Sequence, residues 1–178
     1  YLAYAQRQDA KTDALRQALV YLARHGRSPE QFRKYVKLFG SGPEAWALGA
    51  ELLERLVGDA DAGGVLELGG VLLEHFADPA QVNHVMYRLR TAGDQFVLGR
   101  DARRARVMPL RLCAPHRPSD YGQLEAMLNN AWEPMSSRER VDVLLDILAA
   151  AKTPLPHGIF SRFAEIRALA SDGERLEA

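Results

Sequence analysis

Apolar side chains recur three and four residues apart along almost the whole chain, and turn residues interrupt them at short intervals. Leu15, Leu19 and Leu22 with Val20 form one stripe, and Phe32, Tyr35, Val36 and Phe39 form a second. Trp46, Leu48, Leu52, Leu53, Leu56 and Val57 give a third, and Val82, Val85, Met86 and Leu89 a fourth. Further stripes follow at Leu124, Met127 and Leu128, at Val141, Val143, Leu144, Leu145, Ile147 and Leu148, and at Ile159, Phe160, Phe163, Ile166 and Leu169. This is the period of a helix with one apolar face. No stretch alternates with period two, as a half-buried strand would. The expected fold is all-α: seven to nine helices paired as antiparallel hairpins, in a bundle or short superhelix, as one domain over residues 1–178.

The punctuation supports the same reading. Ser28-Pro29-Glu30-Gln31 places a hydroxyl cap, a proline at the first helical position and a Gln three residues after the cap. Asp78-Pro79-Ala80-Gln81 repeats the logic, and Ser41-Gly42-Pro43-Glu44 is a looser form. Gly26, Gly40, Gly58, Gly93 and Gly173 each follow an apolar run and are expected as left-handed helix ends. Two stretches resist the pattern. Gly63 to Gly70 is bracketed by glycine pairs, and is expected as a helix whose glycines let a neighbour approach closely. Residues 94–118 contain Pro109, Pro115 and Pro118, which predict an irregular Arg/Pro-rich connection after about Arg106. Helix starts near Ser28, Gly42, Asp61 and Asp78 give pairs about 33 to 36 residues apart, near the period of hairpin solenoids. Trp46-Ala47-Leu48-Gly49 is one residue too tight for a tetratricopeptide repeat.

Composition narrows the function classes. Hydrophobic residues make up 47% and charged ones 26%, as in an ordinary globule rather than a disordered or fibrous chain. No apolar run approaches the length of a bilayer-spanning helix, so no membrane partner is expected. The single cysteine excludes a disulfide framework and fits a reducing compartment, so a cytoplasmic location is expected. No charged segment leading into an apolar core marks a signal peptide. The chain opens on Tyr1, as a piece of a longer protein would.

The formal net charge is zero, yet its sign alternates along the chain. Residues 1–44 carry eight basic and four acidic side chains, and residues 45–80 one basic and seven acidic. Residues 81–118 carry eight basic and two acidic, and residues 119–178 six basic and ten acidic. Such blocks can pair inside the fold or present opposite faces to partners. The third block holds the strongest functional signal: Arg88, Arg90, Arg100, Arg103, Arg104, Arg106, Arg111 and Arg117. The guanidinium fork suits carboxylates and phosphates alike. Zero net charge favours an acidic protein face over nucleic acid, whose binding domains are usually basic. Nucleic acid is the alternative, with Tyr87 and Phe96 placed to stack bases. The expected partner-binding residues are Arg100, Arg103, Arg104, Arg106 and Arg111, with Trp132 as an aromatic anchor that otherwise seals the core.

Catalytic and metal constellations do not assemble in the sequence. Cys113 and His116 have ligand-like spacing, but a zinc site needs two further ligands and no second pair is near. A Cys113 nucleophile with His116 as base lacks an orienting partner and an oxyanion hole. Asp142 and Asp146 lie four apart on one helical face without an accompanying Glu-x-x-His. Gly63-Gly64 lacks the Gly-Lys-Ser/Thr of a phosphate loop. No enzyme activity, cofactor or metal is therefore expected. The reading is a protein-binding module of adaptor, chaperone-like or regulatory kind.

Pro156-His157-Gly158-Ile159-Phe160-Ser161, after the amphipathic stretch Glu139 to Leu148 and before Leu169, resembles the Pro-x-Gly-[Val/Ile]-Phe-Ser turn of TyeA-type subunits. These belong to the gatekeepers of type III secretion. The resemblance spans about thirty residues and implies a helical regulator that acts through protein contacts.

Overall fold

A computed structural model describes the backbone over residues 2–95 and 103–176, and side chains over residues 9–93 and 105–168. The described chain is helical, with no strand among the described residues. Nine α-helices follow one another: α1 (Leu2–Gly26), α2 (Pro29–Phe39), α3 (Pro43–Gly58), α4 (Ala62–His75), α5 (Pro79–Gln95), α6 (Met108–Cys113), α7 (Gly122–Ala131), α8 (Ser137–Ala150) and α9 (His157–Leu176). A π-helical turn, Arg103–Val107, leads into α6. The backbone contacts divide the chain into two compact units, Tyr1–Phe76 and Ala77–Ala178.

In the first unit α1 packs on α2, α3 on α4, and α2 on α4. Phe32, Leu52, Leu53, Leu56, Leu68 and Leu72 form its fully buried centre. The starts fall where the caps predict them. The Ser28 side chain accepts from the Gln31 N–H at 3.3 Å, and Asp61 accepts from the Gly64 N–H at 2.9 Å. The glycine-flanked stretch is indeed helical as α4, with Gly69 buried. Within it a Cβ on Gly64 would stand 3.0 Å from Leu56 of α3, and a closer approach lies one helix earlier. A Cβ on Gly49 of α3 would stand 2.6 Å from both Leu72 and Phe32, so this glycine lets α3 close on its neighbours.

Helix ends follow the expectation less well. Among the described glycines only Gly40 takes a left-handed conformation, at φ 84°. After α1 and α3 that role passes to Arg27 (φ 49°) and Ala60 (φ 59°), one and two residues beyond the glycines expected to hold it. Non-glycine residues reach this region at a modest steric cost, and helix-end hydrogen bonds offset it. The Asp61 N–H, for example, donates to the carbonyl of Leu56 at 3.0 Å.

In the second unit α5 packs on α6 and α7, α6 on α7, and α9 on α7 and α8. Met86, Leu89, Leu110, Leu124, Leu128 and Leu144 are fully buried there. Part of the connection expected to be irregular is helical instead. The π turn and α6 together run from Arg103 to Cys113 across Pro109. Pro109 sits in the first turn of α6, at the junction with the π turn, the part of a helix that best tolerates a proline. From Arg103 on, the chain stays helical to Cys113 and turns irregular after it, and the Ser119 N–H ties that loop to the carbonyl of Pro79 at 2.9 Å.

Candidate functional site

The described arginines of the basic block lie on α5, the π turn, α6 and the loop after it. On α5, Arg88 and Arg90 flank Tyr87, their guanidinium carbons 5.4 and 5.9 Å from its ring centroid. Tyr87 itself is 41% exposed. Arg90 also reaches the other way: with Arg106, Pro109 and Asn130 it lines one small cavity of about 10 Å³. Its Nε is buried and has no hydrogen-bond partner among the described residues. Arg90 thus adjoins both the Tyr87 ring and Arg106 on this surface.

Gly93 seats this surface. A Cβ there would stand 2.5 Å from the carbonyl oxygen of Ala105, so only glycine lets the π turn lie directly on α5. Ala105 and Val107 face the core, and Arg106 between them points to solvent. Arg106 has no ion pair among the described residues.

The other expected partner-binding residues divide three ways. Arg100 lies outside the described residues, as does Phe96, and the side chains of Arg103 and Arg104 do as well. Arg111 remains exposed but lies 3.8 Å from Glu139, so part of its charge is met within the unit. Trp132 is only 7% exposed, as in the core-sealing one of its two expected roles. The Arg140 and Arg162 guanidinium groups lie 5.0 and 4.9 Å from its ring centroid. Arg140 also donates from Nε to the Trp132 carbonyl at 3.0 Å. An indole under two cations closes the core and offers no free face.

Glu139 is buried and completes a reciprocal capping box with Ser136. The Ser136-x-x-Glu139 spacing carries this signal, directly before an apolar run.

Cys113 is fully buried, and burial pushes its thiol well above the ordinary range, which withholds the nucleophilic thiolate. Burial also lowers the pKa of His116. No group of three or more His, Cys, Asp or Glu among the described residues is placed to hold a metal ion. No described helix is long and apolar enough to cross a membrane.

The first unit holds an open groove of about 540 Å³ lined by Tyr21, His25, Tyr35 and Leu48. Its charged rim is already joined within the unit: Arg16 pairs with Glu44, and Arg24 with Glu51 at 2.9 Å.

Comparison with protein-family models, with curated proteins and with solved structures finds no match for this chain.

Proposed function

We propose that the protein is a non-enzymatic interaction module, an adaptor, chaperone-like or regulatory subunit, that binds an acidic face of another protein. One observation carries this reading: Arg90 and Arg106 converge on one recess, with the Arg90 Nε unpartnered and Arg106 open to solvent. The recess admits no more than a water, but a carboxylate docked over its mouth would lie beside two guanidinium groups, and charge-assisted bonds of this kind are the strong ones. Arg103 and Arg104 adjoin Arg106 in sequence and extend the basic run. The resemblance of Pro156–Ser161 to TyeA-type gatekeeper subunits supports a regulator working through protein contacts.

The exposed ring of Tyr87 between two arginines favours a second reading, a nucleic-acid-binding subunit that stacks a base and neutralises phosphates. One titration separates the two. The chain is mixed with a labelled Glu/Asp-rich peptide and with a labelled random single-stranded oligonucleotide, at about 50 and 200 mM salt. The expected result is saturable binding of the peptide that Arg103→Glu with Arg104→Glu and Arg106→Glu abolishes, the helical circular dichroism unchanged. Tight oligonucleotide binding that falls by about 10³ between those salts would establish the second reading instead. Peptide binding that survives the reversal would show the patch to be a solvated surface.

A further inference from the structure

Helix α8 carries two apolar faces, and its own unit covers one. Val143, Leu144 and Ile147 are buried. Val141, Leu145 and Leu148, spaced i, i+4 and i+7, form a second stripe that is 37%, 55% and 53% exposed. The stripe runs into a groove of about 510 Å³, where Leu148 meets Pro154, Leu155, Phe160 and Phe163. Phe160, on the first turns of α9, is 64% exposed. A contiguous apolar track of this kind on one face marks a contact surface.

The charges beside the track indicate what covers it. At 100° per residue, Asp142 and Asp146 line one edge of the stripe, both exposed and neither in an ion pair among the described residues. The basic groups of these two helices are mostly engaged. Arg140 and Arg162 lie over Trp132, and Arg167 has a contact within the chain. Among the described residues Arg138, on α8, and Lys152, just beyond its end, remain at the two ends of the stripe. A second copy fits poorly. Laid antiparallel with Leu145 on Leu145, it would bring the two acidic edges together, Asp142 near the other copy's Asp146, and set Arg138 against Lys152. Like charges placed opposite one another disfavour an interface.

We propose that the α8–α9 groove binds an amphipathic helix of a different protein, its apolar side chains at i, i+3/i+4 and i+7 on the track and its basic edge over Asp142 and Asp146. This is helix-in-groove recognition, with hydrophobic contact supplying affinity and the acidic edge setting orientation. The site is separate from the arginine patch and does not depend on it.

The test uses the full chain and two labelled helical peptides with the same leucine stripe, one flanked by lysines and one by glutamates. The expected result is binding of the lysine-flanked peptide about tenfold or more tighter than the other. Asp142→Lys with Asp146→Lys should invert that preference, and Leu145→Asp should abolish binding of both peptides with the circular dichroism unchanged. Arg106→Glu should leave the preference intact, which keeps this outcome distinct from failure of the acidic-partner reading. Equal affinity for both peptides, or no saturable binding, would overturn the proposal. A dimer in sedimentation that Leu145→Asp dissolves would also overturn it and identify a second copy as the occupant.

Discussion

A methyl group at position 93 would stand 2.5 Å from the Ala105 carbonyl oxygen, and backbone cannot rotate away as the tip of a side chain can. Alanine is favoured over glycine inside a helix by roughly 1 kcal/mol, whereas overpacking a close contact costs about 1–3 kcal/mol. The clash outweighs the propensity. Gly93→Ala is therefore expected to lower the urea midpoint and also to weaken the acidic peptide, because the π turn that aims Arg106 must shift. Gly49→Ala, which strikes Leu72 and Phe32 in the other unit, should cost stability alone. Equal peptide affinity in both variants would show that the seat at Gly93 does not position Arg106. The sequence reads Gly93 only as a helix end, since the residues after it lose the apolar period while α5 runs on to Gln95. Trp132 was open to either role for a similar reason. Nothing in its neighbourhood reveals that Arg140 and Arg162, eight and thirty residues away, lie over the same ring.

At the scale of the element, local chemistry decides starts better than ends. A cap acts through hydrogen bonds within four residues, so Ser28, Asp61 and Asp78 are legible in the sequence and hold where expected. A left-handed end can be taken by several residues, and tertiary packing selects Arg27 and Ala60 over the nearby glycines. The strongest cap lies at α8. The Glu139 N–H donates to the Ser136 Oγ at 3.4 Å, while the Ser136 N–H and hydroxyl donate to the Glu139 carboxylate at 3.0 and 2.8 Å. Ser136→Ala removes an acceptor for the helix start and a donor to a buried carboxylate, whereas Ser28→Ala removes only one acceptor contact. Loss of a cap costs about 1 kcal/mol, and stripping a donor from a buried charged group adds about 1–3 kcal/mol. Urea unfolding should rank Ser136→Ala clearly below Ser28→Ala. Equal losses would mean that water replaces the hydroxyl at Glu139. The two-faced apolar pattern of α8 shows why periodicity finds helices but not neighbours: Val141 and Val143 look alike in sequence, and only packing separates the exposed one from the buried one.

Over the whole molecule the charge alternation is resolved differently in the two units. In the first, Arg24–Glu51 at 2.9 Å, Arg27–Asp59 at 2.5 Å and Arg33–Glu67 at 3.7 Å join the basic block to the acidic one. In the second, Arg111–Glu139 at 3.8 Å is the pair the described residues show between residues 81–118 and 119–178. The sequence displays the blocks but not this difference, because pairing depends on which helices become neighbours. Salt should act on the two arrangements unequally. Exposed pairs contribute about 0–1 kcal/mol each, and at this chain length 1 kcal/mol moves the thermal midpoint by roughly 2–4 °C. The midpoint should thus change by only a few degrees between about 50 and 200 mM salt, a range over which the screening length contracts from about 14 to 7 Å. Binding of a Glu/Asp-rich peptide at the arginines adds several charge contacts at once, so its affinity should fall about tenfold over the same range. A midpoint that falls steeply while affinity holds would reverse the assignment, making the pairs of the first unit the electrostatic support of the fold and the arginines of the second irrelevant to recognition.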